Sequence, residues 1–281
     1  MSASTGAPFA AGVSMSAGAP LAAGAELAPG YRVVGLLNRG PEVDVYDVFS
    51  ERRACRCVAK TPRTDVVLPR RAVARLRREG RLLRRFTHPH LVRAYEQART
   101  ADGAPVVVLE TLGGGTLGWL VRDAHVRLSA DDLAYLGLQL ASALHYLHGH
   151  GWLHLDLKPS NVIEQDGIAK VLDLNLAQRP GRVRRGYGSP QYRSPEQARG
   201  GLAGPPADVW GLGATLWASA AARRPFGASG QDQLHARADP LGRVRRLPRA
   251  LTRLVDACLE PAPGDRPTLA EVRATLEPLA G

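Results

Sequence analysis

Residues 154–161 read HLDLKPSN. His154, Asp156, Lys158 and Asn161 stand at fixed offsets in this stretch, and Leu155 fills the place between the first two where a charge is expected. A further carboxylate, Asp173, follows in KVLDLN (170–175). Such a cluster is either a working catalytic loop or the remnant of one, and the flanking sequence has to decide which.

Upstream, from Tyr31, short runs of β-branched and alternating apolar residues read as strands: YRVVGLL, VDVYDVF and ACRCVAK, with Asn38, Gly40 and Pro41 marking a turn. An Arg-rich segment over 68–85 has Val73, Leu76, Leu82 and Leu83 spaced for one buried helical stripe. LVRAYEQAR and APVVVLETL read as two further strands around TADGAP. Gly113, Gly114 and Gly115 then break the pattern. Beyond them Ser129 caps a helix with Asp132 three residues on, and Leu133, Leu136, Leu140, Leu144 and Leu147 give it an apolar face. ADVWGLGATLWASAAA (207–222) reads as a second buried helix. The fold class is α+β and bilobal: a flexible Ala/Gly-rich tail over 1–29, a β-rich lobe over 30–112, and a hinge with an α-rich lobe over 113–281. The tail assignment rests on its having almost no charge or large side chains, so that it cannot bury enough apolar area to offset chain entropy.

Bulk properties narrow the class. No run of eighteen apolar residues suggests a membrane anchor, and no basic start with a Leu/Val-rich run marks a secretory signal. Three cysteines, Cys55, Cys57 and Cys258, come without metal-ligand spacing and suit a reducing cytosol, so the expected location is cytoplasmic. The net charge is +11, with Arg clusters at 70–85, 179–185 and 243–249. A basic surface attracts nucleic acid, acidic peptide or anionic lipid, or is simply a solvated face. No aromatic residues interleave the clusters, which argues against nucleic acid.

HLDLKPSN resembles the H-R-D-L-K-P-x-N catalytic loop of bacterial-like, eukaryotic-type (Hanks-type) serine/threonine protein kinases, and KVLDLN resembles their D-F-G segment. The resemblance continues in order over about residues 31–275: LLNRGPEVDVY, CVAK, RREGRLL, HPHLV, GSPQYRSPE, DVWGLG and DRP. It implies transfer of the γ-phosphate of MgATP to Ser/Thr hydroxyls of protein substrates, a reaction in which the protein mainly positions groups and neutralises charge. By resemblance, Lys60 clamps the α/β-phosphates and Glu79 holds Lys60. Asp156 is the base toward the substrate hydroxyl, and Lys158 contacts the transferred phosphate. Asn161 and Asp173 hold Mg²⁺. Asn38, Gly40, Val45, Val58, Glu110, Leu112 and Ile163 complete the nucleotide site with Lys60. His154 is expected to pack beneath Leu174, with Leu83 extending that stack. The Ser189 hydroxyl is expected to bridge Asp156 and Lys158, and Glu196 to pair with Arg266.

The pattern also departs from the family. Of the three loop glycines only Gly40 remains, with Asn38 and Val43 at the other two, and Asn38 is expected to keep a left-handed turn. Val58 replaces an Ala, and Asn175 replaces the Gly of D-F-G. Leu155 removes an arginine that elsewhere receives an activation-loop phosphate, so activity is expected not to depend on loop phosphorylation. The alternative is a pseudokinase serving as a nucleotide-binding or scaffolding module, and a small-molecule kinase is a third reading. A separate regulatory protein is a possible partner.

Overall fold

The computed structural model describes residues 19–66, 70–227 and 232–281. Six strands form one antiparallel sheet: β1 Glu26–Ala28, β2 Tyr31–Arg39, β3 Val43–Ser50, β4 Cys55–Pro62, β5 Ala94–Arg99 and β6 Pro105–Glu110, in the order β1-β2-β3-β4-β6-β5. Helix α1, Arg70–Arg85, crosses between β4 and β5. β1 pairs with β2, and the Leu21 N–H donates to the Tyr46 hydroxyl at 3.0 Å. The ordered sheet therefore begins inside the stretch assigned to the tail. The reason is local: Leu27 and Ala28 are apolar and find a buried face beside Tyr31 and Val33.

Strand alternation gives this sheet two faces. Register places Tyr46 opposite Ala59 and Val48 opposite Cys57, and these residues join Val106 and Val108 in one small core. The intervening residues fall on the other face: Val45 opposite Lys60, Lys60 opposite Val107, and Val58 opposite Leu109. Val107 and Leu109 belong to the main core, which continues into the helical lobe. One face of the sheet thus seals itself, and the other looks into the cleft.

The helical lobe contains α2 Leu117–Arg122, α3 Ala130–Gly149, the hairpin β7 Val162–Gln165 and β8 Ile168–Val171, β9 Gly181–Arg182, α4 Pro195–Arg199, β10 Leu202–Ala203, α5 Pro205–Ala221, α6 Leu241–Val244, α7 Arg249–Cys258 and α8 Leu269–Leu276. Ser129 and Asp132 form the expected capping box at the start of α3. α5 is apolar around its whole circumference and is buried along nearly its whole length, including Trp210, Leu212, Leu216 and Trp217. It packs against α3 and α7. A Cβ at Gly213 would sit 2.5 Å from the Cys258 Cβ, and one at Gly137 of α3 would sit 2.5 Å from a methyl of Leu276. The lack of a side chain at these two points is what lets the helices approach. On α1 the buried stripe is Ala72, Leu76, Glu79, Gly80, Leu82 and Leu83, with Val73 at its margin. A carboxylate in that stripe is the unexpected member.

Glu196, on α4, accepts a bidentate pair from Arg266 at 2.8 and 2.9 Å, and the remaining guanidinium donors reach the carbonyls of Pro206, Glu260 and Pro261. The Arg266 side chain is fully enclosed, and its guanidinium lies 5.0 Å from the Trp210 ring centroid. Among the described residues no helix is long and apolar enough to cross a membrane.

Removing one member of such a buried pair leaves the other uncompensated. Arg266→Ala is expected to lower the free energy of unfolding by about 3–5 kcal/mol in urea denaturation.

Candidate active site

The stretch 154–161 crosses the top of the helical lobe, and one buried carboxylate sets its shape. Asp208, near the start of α5, accepts from the His154 N–H at 2.8 Å, the Leu155 N–H at 2.7 Å and the His148 Nε2 at 2.8 Å. Leu155 is held at φ 62°, a left-handed backbone that costs a non-glycine residue roughly 1–2 kcal/mol. Two charge-assisted bonds from Asp208 offset that strain. The turn swings Asp156 out of the lobe and tucks the imidazole of His154 beneath it. His154 Nδ1 accepts the Asp156 N–H at 3.1 Å. Burial first, then the Lys158 charge, act against protonation, and the attraction of Asp208, Asp156 and Asp173 does not overcome them, so the imidazole stays below its ordinary pKa and neutral. His154 and Leu174 are both buried, the latter in the main core with Leu83.

Asp156 is gripped from three sides. Its Oδ2 accepts from Lys158 Nζ at 2.8 Å and from Asn161 Nδ2 at 3.3 Å, and its Oδ1 accepts the Ser189 N–H at 2.8 Å. Lys158 Nζ also donates to Ser189 Oγ at 2.5 Å. The Ser189 bridge thus exists in a divided form: the hydroxyl holds Lys158 and the backbone amide holds Asp156. Asn161 Nδ2 further donates to the Asp156 carbonyl at 3.0 Å, which leaves its Oδ1 free of that network. The Leu172 N–H donates to the Asn161 carbonyl at 2.9 Å, so the Asp173 segment is laced directly to the loop.

Across the cleft, Lys60 on β4 meets Glu79 on α1 at 2.7 Å, and its Nζ lies 3.9 Å from Asp173 Oδ2. Glu79 is 2% exposed, whereas the Asp173 carboxylate is 31% exposed toward the cleft. Burial alone would lower the Lys60 ammonium, but Asp173 and Glu79 together outweigh it and push its pKa up. Burial and then the Asp173 carboxylate raise Glu79 to about 7, against the pull of Lys60. Burial would raise Asp173, yet Lys60 and the Asn175 N–H (2.6 Å from Oδ1) hold it below the usual range. Two carboxylates and one ammonium thus share this corner, with Asp173 as the carboxylate that reaches solvent. Asp173 and the amide oxygen of Asn161 are hard oxygen donors that suit Mg²⁺, which takes few protein ligands and shares substrate phosphates. Among the described residues no three His, Cys, Asp or Glu side chains form a metal cage on their own.

The nucleotide-facing positions divide. Val45, Val58 and Lys60 share the cleft face of the sheet by register, with Asn38 directly opposite Val45. Val58 and Leu112 also pack on the main core, and Ile163 is half-buried and bridges to Thr116. Glu110 differs: its carboxylate turns to Lys170 at 2.6 Å and to the Arg93 N–H at 2.9 Å, so only its backbone faces the cleft. The expectation of a left-handed Asn38 is corrected. Asn38 stays extended within β2, and the loop closes as a tight hairpin in which the Gly40 N–H donates to the Val43 carbonyl at 2.9 Å. Its tip is tied to α1 by Glu42 and Arg75. Asn175 also avoids positive φ, and its carbonyl accepts from Arg78 of α1 at 3.2 Å.

Two residues that the sequence reading left without roles organise the site: Asp208 and Gln197. Gln197 Nε2 donates to the Leu155 carbonyl at 2.8 Å and to that of Tyr187 at 3.3 Å. Both sit inside or beside motifs already singled out, and a lone carboxylate at the head of an apolar helix was the available signal. Leu155 itself, 3% exposed, lies in a cluster with Leu153, Val183, Ala203 and Ala207.

Comparison with known proteins agrees with this geometry. A family model described as the protein kinase domain matches residues 31–276. The chain is 30% identical over 263 residues to the serine/threonine-protein kinase pkn3 of Myxococcus xanthus, covering 86% of this chain and 48% of that protein. It is 30% identical over 216 residues to the probable serine/threonine-protein kinase PknB of Bifidobacterium longum, covering 70% of this chain and 31% of that one. The chain therefore spans half or less of the length of these relatives. The PknI kinase domain of Mycobacterium tuberculosis superposes with a TM-score of 0.73 at 24% identity, over 93% of this chain and 100% of that one, and shows the shared fold.

Asp208→Ala strands the His154 and Leu155 amides in a dry site. It is expected to cost at least about 2–3 kcal/mol of stability, read by thermal denaturation, and to expose the 154–161 turn to limited proteolysis.

Proposed function

The chain belongs to the protein kinase family, and on that premise we propose that it is an active ATP-dependent serine/threonine protein kinase whose activity does not wait on activation-loop phosphorylation. The observation that carries the reading is the survival, in one cleft, of every group the chemistry needs: Lys60 paired with Glu79, Asp173 beside Lys60, and Asp156 held by Lys158 and Asn161. The family uses ATP, typically with Mg²⁺, and Asn161 and Asp173 are the residues proposed to hold the ion, which would offset charge on the phosphates.

In the proposed reaction Asp156 Oδ receives the proton of a substrate Ser or Thr hydroxyl as that oxygen bonds to the γ-phosphorus, while the bond to the departing ADP oxygen breaks. Lys158, fixed between Asp156 and Ser189, stands ready to donate to the transferring phosphoryl group. Lys60, kept protonated by its two carboxylate neighbours, faces the α/β-phosphates. Val45, Val58, Leu112 and Ile163 are proposed to enclose the adenine, with the backbone at Glu110 along its edge. Protein substrates follow from Lys158 and from the Ser189 platform.

Independence from loop phosphorylation is supported by what replaces the phosphate receptor. Leu155 anchors the segment by apolar contact with Val183, β9 pairs with β10, and Gln197 ties both Leu155 and Tyr187. The pseudokinase reading draws on Val43 and the closed hairpin beside it, where a branched side chain replaces the glycine that lets a phosphate approach backbone N–H groups.

With labelled ATP, Mg²⁺ and a mixed protein substrate, the parent chain is expected to transfer phosphate to Ser or Thr. Asp156→Ala is expected to lose at least about 10²-fold in rate while still gaining thermal stability from ATP. Equal, background-level counts from both proteins would establish the pseudokinase instead. Phosphatase treatment before the assay is expected to leave the rate unchanged.

A further inference from the structure

Beside Asp156 the helical lobe opens into a groove of about 420 Å³ whose wall begins with Lys158 and Ser189, the two residues bonded to that carboxylate. The groove is therefore adjacent to the carboxylate that the phosphotransfer reading assigns to the substrate hydroxyl. Its far wall carries Arg122 at the end of α2, His125, and Arg223 and Arg224 just past α5. Not one of the residues lining it is Asp or Glu, although the chain has 26 of them. These arginines also lie outside the three arginine clusters of the sequence, so the groove is a separate basic feature made only by folding.

The guanidinium groups are available. Arg122 is exposed, and among the described residues the one carboxylate within ion-pair distance of it is that of its chain neighbour Asp123, at 3.4 Å. Arg223 lies over Trp217 at 4.8 Å and meets the well-exposed Asp239 at 3.0 Å. Among the described residues no carboxylate lies within ion-pair distance of Arg224, which is exposed. Surface pairs of this sort hold each other weakly and exchange for a better-placed carboxylate. Half-buried Tyr192 also lines the groove and adds an aromatic side chain to it.

Resting on the phosphotransfer reading above, we propose that this groove selects acidic substrate segments: peptides with Asp or Glu flanking the phosphorylated Ser or Thr, whose carboxylates meet Arg122, Arg223 and Arg224. A basic peptide would bring like charge against three arginines with no carboxylate in the groove to receive it, and like-charge juxtaposition is the stronger half of such discrimination.

The test is fluorescence anisotropy with the full chain and two labelled peptides of equal length, one with a Ser between Asp and Glu residues and one with the same Ser between Lys and Arg. The acidic peptide is expected to bind at least about tenfold more tightly at low salt and to lose most of that advantage at high salt. Arg122→Ala/Arg223→Ala/Arg224→Ala is expected to abolish the preference, and the Lys triple variant to keep most of it, with thermal melts confirming folding. Equal binding of the two peptides by the parent chain, or tighter binding of the basic one, overturns the proposal even if no variant folds. So does an alanine variant that melts like the parent and keeps the preference, or duplex DNA that displaces the acidic peptide at lower concentration than the unlabelled peptide itself. Phosphate transfer to the bound acidic peptide is read separately. Selective binding without transfer would sink the kinase reading and leave the groove assignment standing.

Discussion

The cleft depends on a buried carboxylate that never meets a substrate. Asp208 holds the amides of His154 and Leu155, and so keeps a leucine in a backbone region that leucine avoids. That turn is what sends His154 inward as a neutral prop and Asp156 outward as a charged group. Without the two amide bonds, the strain at Leu155 would relax toward extended backbone and carry Asp156 away from Lys158, Asn161 and Ser189. Asp208 in turn is held by α5, which is buried along nearly its whole length, so the shape of the 154–161 loop is set from the core.

On the other side of the cleft, positioning comes from strand alternation. Lys60 reaches Glu79 because β4 places every second residue on the cleft face and seals the alternate residues in a small core of their own. A one-residue slip of β4 would turn the ammonium toward Tyr46, Val48 and Val108. The pairing of β2 with β3 is irregular between Val33 and Gly35 and between Leu36 and Asn38, then closes with Asn38 opposite Val45 and Arg39 opposite Asp44; with Asn38 and Val43 in place of glycines, extended pairing at the tip is the lower-energy path for the chain.

Leu155 has a second consequence. An arginine at that place is a receptor for an added charge, and its surroundings must stay polar and open. A leucine there can be packed, and Leu153, Val183, Ala203 and Ala207 close around it. The segment that carries Ser189 is thereby joined to the loop by apolar contact, reinforced by Gln197 and by the close approach of Gly188 to the Leu155 carbonyl, where a Cβ would come within 2.8 Å.

Much of this was legible in the sequence because it is carried by local patterns. Alternation announced β2 to β6, the capping box and leucine spacing announced α3, and the ordered motifs announced the Lys60–Glu79 pair and the tie of Ser189 to Asp156 and Lys158. What local pattern cannot encode is where separated segments meet. That Glu110 turns to Lys170, and that Asp208 rather than any neighbour in sequence supports Leu155, depend on partners tens of residues away. The basic groove is of the same kind: Arg122 and Arg223–Arg224 are about a hundred residues apart and form no cluster in sequence. They acquire a common purpose only when α2 and the end of α5 are packed side by side, because charge acts through space and not along the chain.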